Sequence, residues 1–151
     1  MKKVHNVLIG ERTAEKIKMA VATASKYGRD ESISVRGRDM VTGLPTTFTV
    51  NSAECREALS DSIASLIATV RSVLEKCPPE LAADIVDNGI YMTGGGALLD
   101  GLAEVMQKET GITTRIADNP LECVALGTGK ALQNLDKLHP GTVYTVSNLD
   151  I

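Results

Sequence analysis

The run Thr93-Gly94-Gly95-Gly96-Ala97 is the part of this sequence best suited to hold a ligand. It follows a short apolar stretch, Ile90 to Thr93, and precedes a leucine-rich segment. The order predicts a strand, a glycine turn and a helix that begins at once. Glycines let a phosphate or a purine approach the backbone with no Cβ in the way. A helix N-terminus adds unpaired N–H groups and the positive end of a dipole. The same run also makes a tight strand-to-helix turn with no ligand, and the local pattern leaves both readings open. A second candidate is Gly10-Glu11-Arg12-Thr13-Ala14-Glu15-Lys16-Ile17-Lys18, where Glu15 and Lys18 stand three apart on one helix face. The carboxylate suits a sugar hydroxyl and the lysine suits the edge of a purine. An exposed, salt-bridged helix face has the same pattern.

Other chemistries fail on spacing. A dinucleotide fingerprint would need a third glycine where Leu99 stands. Gly127-Thr128-Gly129-Lys130 resembles the end of a P-loop, but Val124 occupies the first glycine position and Ala131 the Ser/Thr position. His5 and His139 have no Cys, Asp or Glu at metal-ligand spacing, and no Ser–His–Asp arrangement can be argued. Arg36, Arg38 and Asp39 beside Thr42-Gly43-Leu44-Pro45 fit a solvated hairpin.

The elements that must position these residues are legible in outline. Residues 1–27 predict a helix entered from a short loop, with Thr13 as N-cap and Ala14, Ile17, Val21 and Ala24 at helical spacing. Ser32 to Arg36 and Thr46 to Val50 alternate as strands around a Gly-Pro turn. Asn51 with Glu54 three residues on predicts a capping box, opening a helix over 53–76 with Leu59, Ile63, Leu66, Ile67, Val70 and Leu74 on one face. Pro78 and Pro79 end it, and a short helix over 79–87 follows. After the glycine turn, Leu98, Leu99, Leu102, Val105 and Met106 mark a helix closed by Gly111. Ile112 to Ala117 reads as a strand. Asn119, Pro120 and Glu122 predict the capped start of a last helix whose Ala125, Gly127, Gly129 and Ala131 permit close packing. Residues 136–151 are weakly patterned and predict a loose tail. Residues 90–134 therefore form a strand–helix–strand–helix piece of a parallel α/β layer, too small to be a stable sheet alone.

The chain has 151 residues, is 43% hydrophobic and only 3% aromatic, so its core must be aliphatic. A formal charge of −3 gives no electrostatic case for nucleic acid or an acidic membrane surface. Cys55, Cys77 and Cys123 are odd in number and form no CxxC, which suits free thiols in a reducing cytosol. No apolar run approaches the roughly 20 residues of a membrane crossing, and Met1 to His5 is too short and polar for a signal peptide. A soluble, cytoplasmic protein is expected.

Six stretches in order resemble the MreB/Mbl family of actin-like proteins: Leu8–Glu15, Val35–Asp39, Thr42–Pro45, Pro78–Ile85, Thr93–Leu99 and Cys123–Leu132. The resemblance runs from about Asn6 to Leu135. It implies an α/β fold, the C-terminal half of an actin-like (ribonuclease H-like) ATPase, with the opening strands of its larger lobe missing. Residues 1–57 would be the small upper lobe and 58–135 part of the larger lower lobe. ATP in this family lies between the two halves of the molecule. The resemblance implies that Glu15, Lys16, Ile17 and Lys18 border the ribose and adenine. It likewise implies that Gly94, Gly95, Gly96 and Ala97 turn beneath the nucleotide. Sugar kinases and heat-shock ATPases share the glycine-turn logic but do not account for Thr42–Pro45 or Pro78–Ile85.

The family's phosphate loops, Asp-x-Gly-Thr and Asp-Ile-Gly-Gly-Gly-Thr, do not occur in this sequence, nor does its membrane-binding segment. Phosphoryl transfer depends on positioning and charge at the phosphates, so this chain alone is expected to bind Mg-ATP weakly and not to hydrolyse it. By resemblance its partners are itself or a full-length actin-like protein in a filament under the membrane, and the cell-wall elongation machinery. A non-enzymatic module that caps or co-assembles with such filaments is the rival expectation.

Overall fold

The computed structural model describes residues 1–134; the tail expected over 136–151 lies outside them. Its elements in chain order are α1 (Lys2–His5), β1 (Val7–Leu8), α2 (Glu11–Val21), β2 (Ser32–Asp39), β3 (Pro45–Asn51), α3 (Ser52–Glu75) and α4 (Pro79–Asn88). There follow β4 (Ile90–Met92), a 3-10 turn over Gly95–Leu98, α5 (Leu102–Thr110), β5 (Thr114–Ile116) and α6 (Cys123–Gln133).

The first sheet is antiparallel in the order β1-β2-β3. Its register pairs Val35 with Phe48 and Arg36 with Thr47, so alternate residues share a face. Ile33, Val35, Phe48 and Val50 face a core completed by Ile17 and Val21 of α2 and by Cys55 and Leu59 of α3. Val50 and Val21 are almost fully buried, each contributing roughly 2 kcal/mol of apolar transfer. The opposite face carries Ser34, Arg36, Thr47 and Thr49, which suits solvent. At the hairpin tip, Asp39 Oδ1 accepts N–H bonds from Thr42 (2.7 Å) and Val41 (2.8 Å). Those bonds hold its carboxyl below the ordinary value.

The segment 1–27, predicted as a helix entered from a short loop, holds a short helix and a strand ahead of the main helix. Asn6 adopts the left-handed conformation after α1, and Val7 and Leu8 then pair with Asp39 and Arg38 as β1. Thr13 is not the N-cap: α2 begins at Glu11 behind Gly10, whose carbonyl accepts from both Thr13 and Ala14 at 3.0 Å. The two-residue strand has no periodicity to reveal it, and only its pairing with β2 makes it a strand.

The capping box forms as expected. Asn51 Oδ1 accepts the Glu54 N–H at 2.9 Å, and Glu54 Oε2 accepts the Asn51 N–H at 3.0 Å. It opens the 24-residue α3, which starts on the first sheet and runs on past α5. The position expected to divide the chain, 57, falls inside this one helix. Arg71 on α3 donates through Nε to the Glu109 carbonyl of α5 at 3.0 Å and pairs with the Glu109 carboxylate.

The second sheet is the expected parallel pair, with Ile90, Tyr91 and Met92 opposite Thr114, Arg115 and Ile116. Gly89, at φ +82°, brings the chain hard against the Thr113 carbonyl, where a Cβ would collide. Asn119 does not cap α6. It takes a left-handed φ of 49° in a turn, and the helix starts at Cys123. The turn is held because the Pro120 carbonyl accepts the Gly94 N–H at 2.7 Å, a tertiary bond that the local capping pattern does not anticipate. The expected packing of α6 is also absent among the described residues: it carries no buried side chain, and Val124, Leu126 and Leu132 are exposed.

Candidate functional site

A cleft of about 480 Å³ separates α2 from the glycine turn, a size that suits a small-molecule ligand. Glu15, Lys18 and Met19 of α2, with Ala22 just after it, form one wall, and Gly95, Gly96, Leu98 and Leu99 form the facing wall. The floor is apolar, built from Leu59, Ile63 and Leu66 of α3 with Leu102 and Leu121. Arg29 and Asp100 stand together at the rim. Two residues drawn from one end of the sequence thus share a cavity with two glycines from the other.

The other candidates lie elsewhere. Ile17, one position before Lys18, is buried in the first core. Lys16 turns to a different surface, with Thr13, Ser34, Arg36 and Thr47. Helical geometry gives the reason, since adjacent residues on α2 point about 100° apart and only Glu15 and Lys18 share an edge. Gly94 and Ala97 are not on the cleft wall. Gly94 supplies the turn conformation at φ +80°, and Ala97 is buried beneath the turn.

The glycine turn differs from its predicted form. No α-helix begins beneath it. Gly95–Leu98 is a single 3-10 turn, with the Ala97 and Leu99 N–H groups bonded at 3.2 Å to the Gly94 and Gly96 carbonyls. Gly101 in the left-handed conformation delays α5 to Leu102. The dipole argument for phosphate therefore does not apply here. Packing within the chain does not explain why position 96 is glycine. A Cβ there would meet nothing within 4 Å, and its φ lies outside the glycine-favouring range. At Gly95 a Cβ would make only an ordinary contact with Leu121. Both positions open into the cleft, where a side chain would take the space of a ligand.

Several cleft residues were not read from the sequence as site residues. Leu59, Ile63 and Leu66 gave a periodic signal, but that signal marks core and cleft floor alike. Arg29 lies in the polar run Gly28-Arg29-Asp30-Glu31 between helix and strand, and Asp100 gave no local signal. Asp100 Oδ2 accepts the Arg29 N–H at 2.9 Å. That bond and then the Thr23 hydroxyl hold its carboxyl below the ordinary range. Cys55 lies in the first core, where burial pushes its thiol up and makes it a poor nucleophile.

Known proteins now bear on this geometry. The profile described as MreB/Mbl protein matches residues 1–140. The chain belongs to the MreB/Mbl family. It is 54% identical over 138 residues to the cell shape-determining protein Mbl of Bacillus subtilis (strain 168), covering 91% of this chain and 41% of that protein. It is 46% identical over 138 residues to the cell shape-determining protein MreB of Escherichia coli (strain K12), covering 91% of this chain and 40% of that one. Crystal structures of MreB5 of Spiroplasma citri, bound to AMPPNP and to ADP, superpose with a TM-score of 0.85 at 35% identity. They cover 90% of this chain and 41% of theirs. The fold is therefore actin-like, and this MreB/Mbl chain spans about 40% of the length of the relatives it matches.

Proposed function

We infer that this chain provides the nucleoside-facing part of an ATP cleft in a cell-shape-determining, actin-like protein. Glu15 and Lys18 hold the ribose and the purine edge, and Gly95 and Gly96 of the glycine turn lie beneath the base. The carrying observation is that Glu15, Lys18, Gly95 and Gly96 line one cleft, with Gly96 open to it for no reason of internal packing. Support comes from the similar MreB5 structures, which are bound to AMPPNP and ADP. The apolar floor covers the ring faces, and the carboxylate accepts from ribose hydroxyls. On this reading residues 1–57 and 58–135 act as the two lobes bordering the site, with the cytoplasm as its setting.

Titration calorimetry of the chain with Mg-ATP tests this. Glu15→Ala and Gly96→Val should each weaken binding about tenfold or more, through a lost charged hydrogen bond and a filled cradle. Unchanged affinity in both variants would sink the site assignment.

A second reading is that the chain is a self-associating or co-assembling module. It is favoured by α4 and α6, which carry no buried residue among those described while Leu81, Val86, Val124, Leu126 and Leu132 are exposed. Co-sedimentation with a full-length MreB/Mbl protein, unaffected by ATP and by Gly96→Val, would favour this reading over the first.

A further inference from the structure

We propose that Asp100 is a positioning residue of the cleft, acting as a clasp that holds α2 against the glycine turn. The proposal rests on the reading that a nucleotide occupies this cleft. Asp100 lies two residues after the turn, and both its main chain and its side chain grip residues 23–29. Its carbonyl accepts the Ala24 N–H at 2.8 Å, and its Oδ2 accepts the Arg29 N–H at 2.9 Å. The backbones of Thr23 and Asp100 form a parallel bridge.

Arg29 carries the grip on to α2. Its Nη1 donates to the Ala20 carbonyl at 2.7 Å and the Met19 carbonyl at 3.2 Å. Those carbonyls lie in the last turn of the helix that bears Glu15 and Lys18. The guanidinium also stands 3.9 Å from Asp100 Oδ2 through Nε. The contacts close a ring: glycine turn, Asp100, Arg29, end of α2, cleft, glycine turn. Two glycines make the ring tight. A Cβ on Gly28 would strike the Thr23 hydroxyl and the Asp100 carboxylate, and one on Gly101 would strike the backbone and Cβ of Ser25.

This arrangement has a functional consequence. A ligand that touches both Glu15 and Gly96 needs the two walls at a set separation, and binding is weakened when that separation must be restored at its expense. Asp100 sets it without having to touch the ligand.

The test uses the whole 151-residue chain and two readouts. Hydrogen exchange on the ligand-free protein comes first. Asp100→Ala should remove protection at the Arg29 amide while leaving the β2–β3 amides unchanged. Calorimetry with Mg-ADP comes second. Asp100→Ala should weaken binding about tenfold, as loss of a charged acceptor predicts. Asp100→Asn keeps an acceptor for the Arg29 N–H and should bind within about threefold of the unaltered chain. It also stands in should Asp100→Ala fail to fold. Exchange at Arg29 unaltered by Asp100→Ala, or equal loss of affinity in the Asn and Ala variants, would overturn the clasp. If Gly96→Val and Glu15→Ala leave Mg-ADP binding unchanged, the nucleotide reading fails instead, and the exchange result alone decides for or against the clasp.

Discussion

The carboxylate of Asp100 accepts the main-chain N–H of Arg29 at 2.9 Å, joining residues 71 positions apart. The bond, followed by the Thr23 hydroxyl, lowers the Asp100 pKa below its ordinary 3.8. A lowered folded-state value means that the ionised form stabilises the fold. That contribution is complete above the unfolded value and is lost as pH falls through the folded one. Asp100→Asn should therefore be less stable than the unaltered chain by about 1 kcal/mol at pH 7. The gap should close below about pH 4, as Asp100 protonates. Thermal melts of both proteins between pH 3 and pH 7 measure it. A gap that widens with acid would contradict the assignment.

Gly28 should be sensitive to alanine and Gly96 should not. At Gly28 a Cβ meets the buried Thr23 hydroxyl and the Asp100 carboxylate, so Gly28→Ala should cost about 1–3 kcal/mol by overpacking. At Gly96 nothing lies within 4 Å, so Gly96→Ala should change stability by no more than about 0.5 kcal/mol. Urea denaturation of the two variants checks both values.

The Asn51–Glu54 capping box should be worth about 1 kcal/mol, because it satisfies the Glu54 N–H at the start of α3. Asn51→Ala should lower the denaturation midpoint by that amount, while Asn51→Asp should retain most of it. Equal loss in both would mean that the side-chain acceptor is not what matters at this end.

Lys18 and Lys16 separate the cleft from the opposite surface of α2. Lys18 lines the cleft, whereas Lys16 lies with Arg36 and Thr47. Lys18→Ala should weaken Mg-ATP binding about three- to fivefold, the scale of an exposed charge contact. Lys16→Ala should leave it within twofold. Reversal of that order in a titration would move the site to the other face.

Most elements were legible because their signals are local. The capping box, the hairpin turn at Gly43, the Pro78–Pro79 stop and the Gly111 C-cap depend only on near neighbours, and each is found where it was read, although Pro45 already belongs to β3. The parallel pairing of β4 with β5 followed from their spacing around a helix. Predictions failed where a distant bond changed the local preference. β1 exists through β2, and the turn at Asn119 is held by Gly94 through Pro120. The helix expected directly after Gly96 is displaced by the left-handed Gly101 packed on Ser25.

The candidate site divides in the same way. Residue types and spacing brought Glu15, Lys18 and the three glycines forward as candidates, and six stretches in order carried the family resemblance, since these depend on covalent order and helical period. That Lys18 and Gly96 face one cavity while Lys16 and Ile17 turn away, and that Asp100 holds the walls together, was decided by tertiary structure. Contacts between residues 71 positions apart come from packing the segment after α2 against the segment after the glycine turn, and no local pattern of side chains encodes that distance.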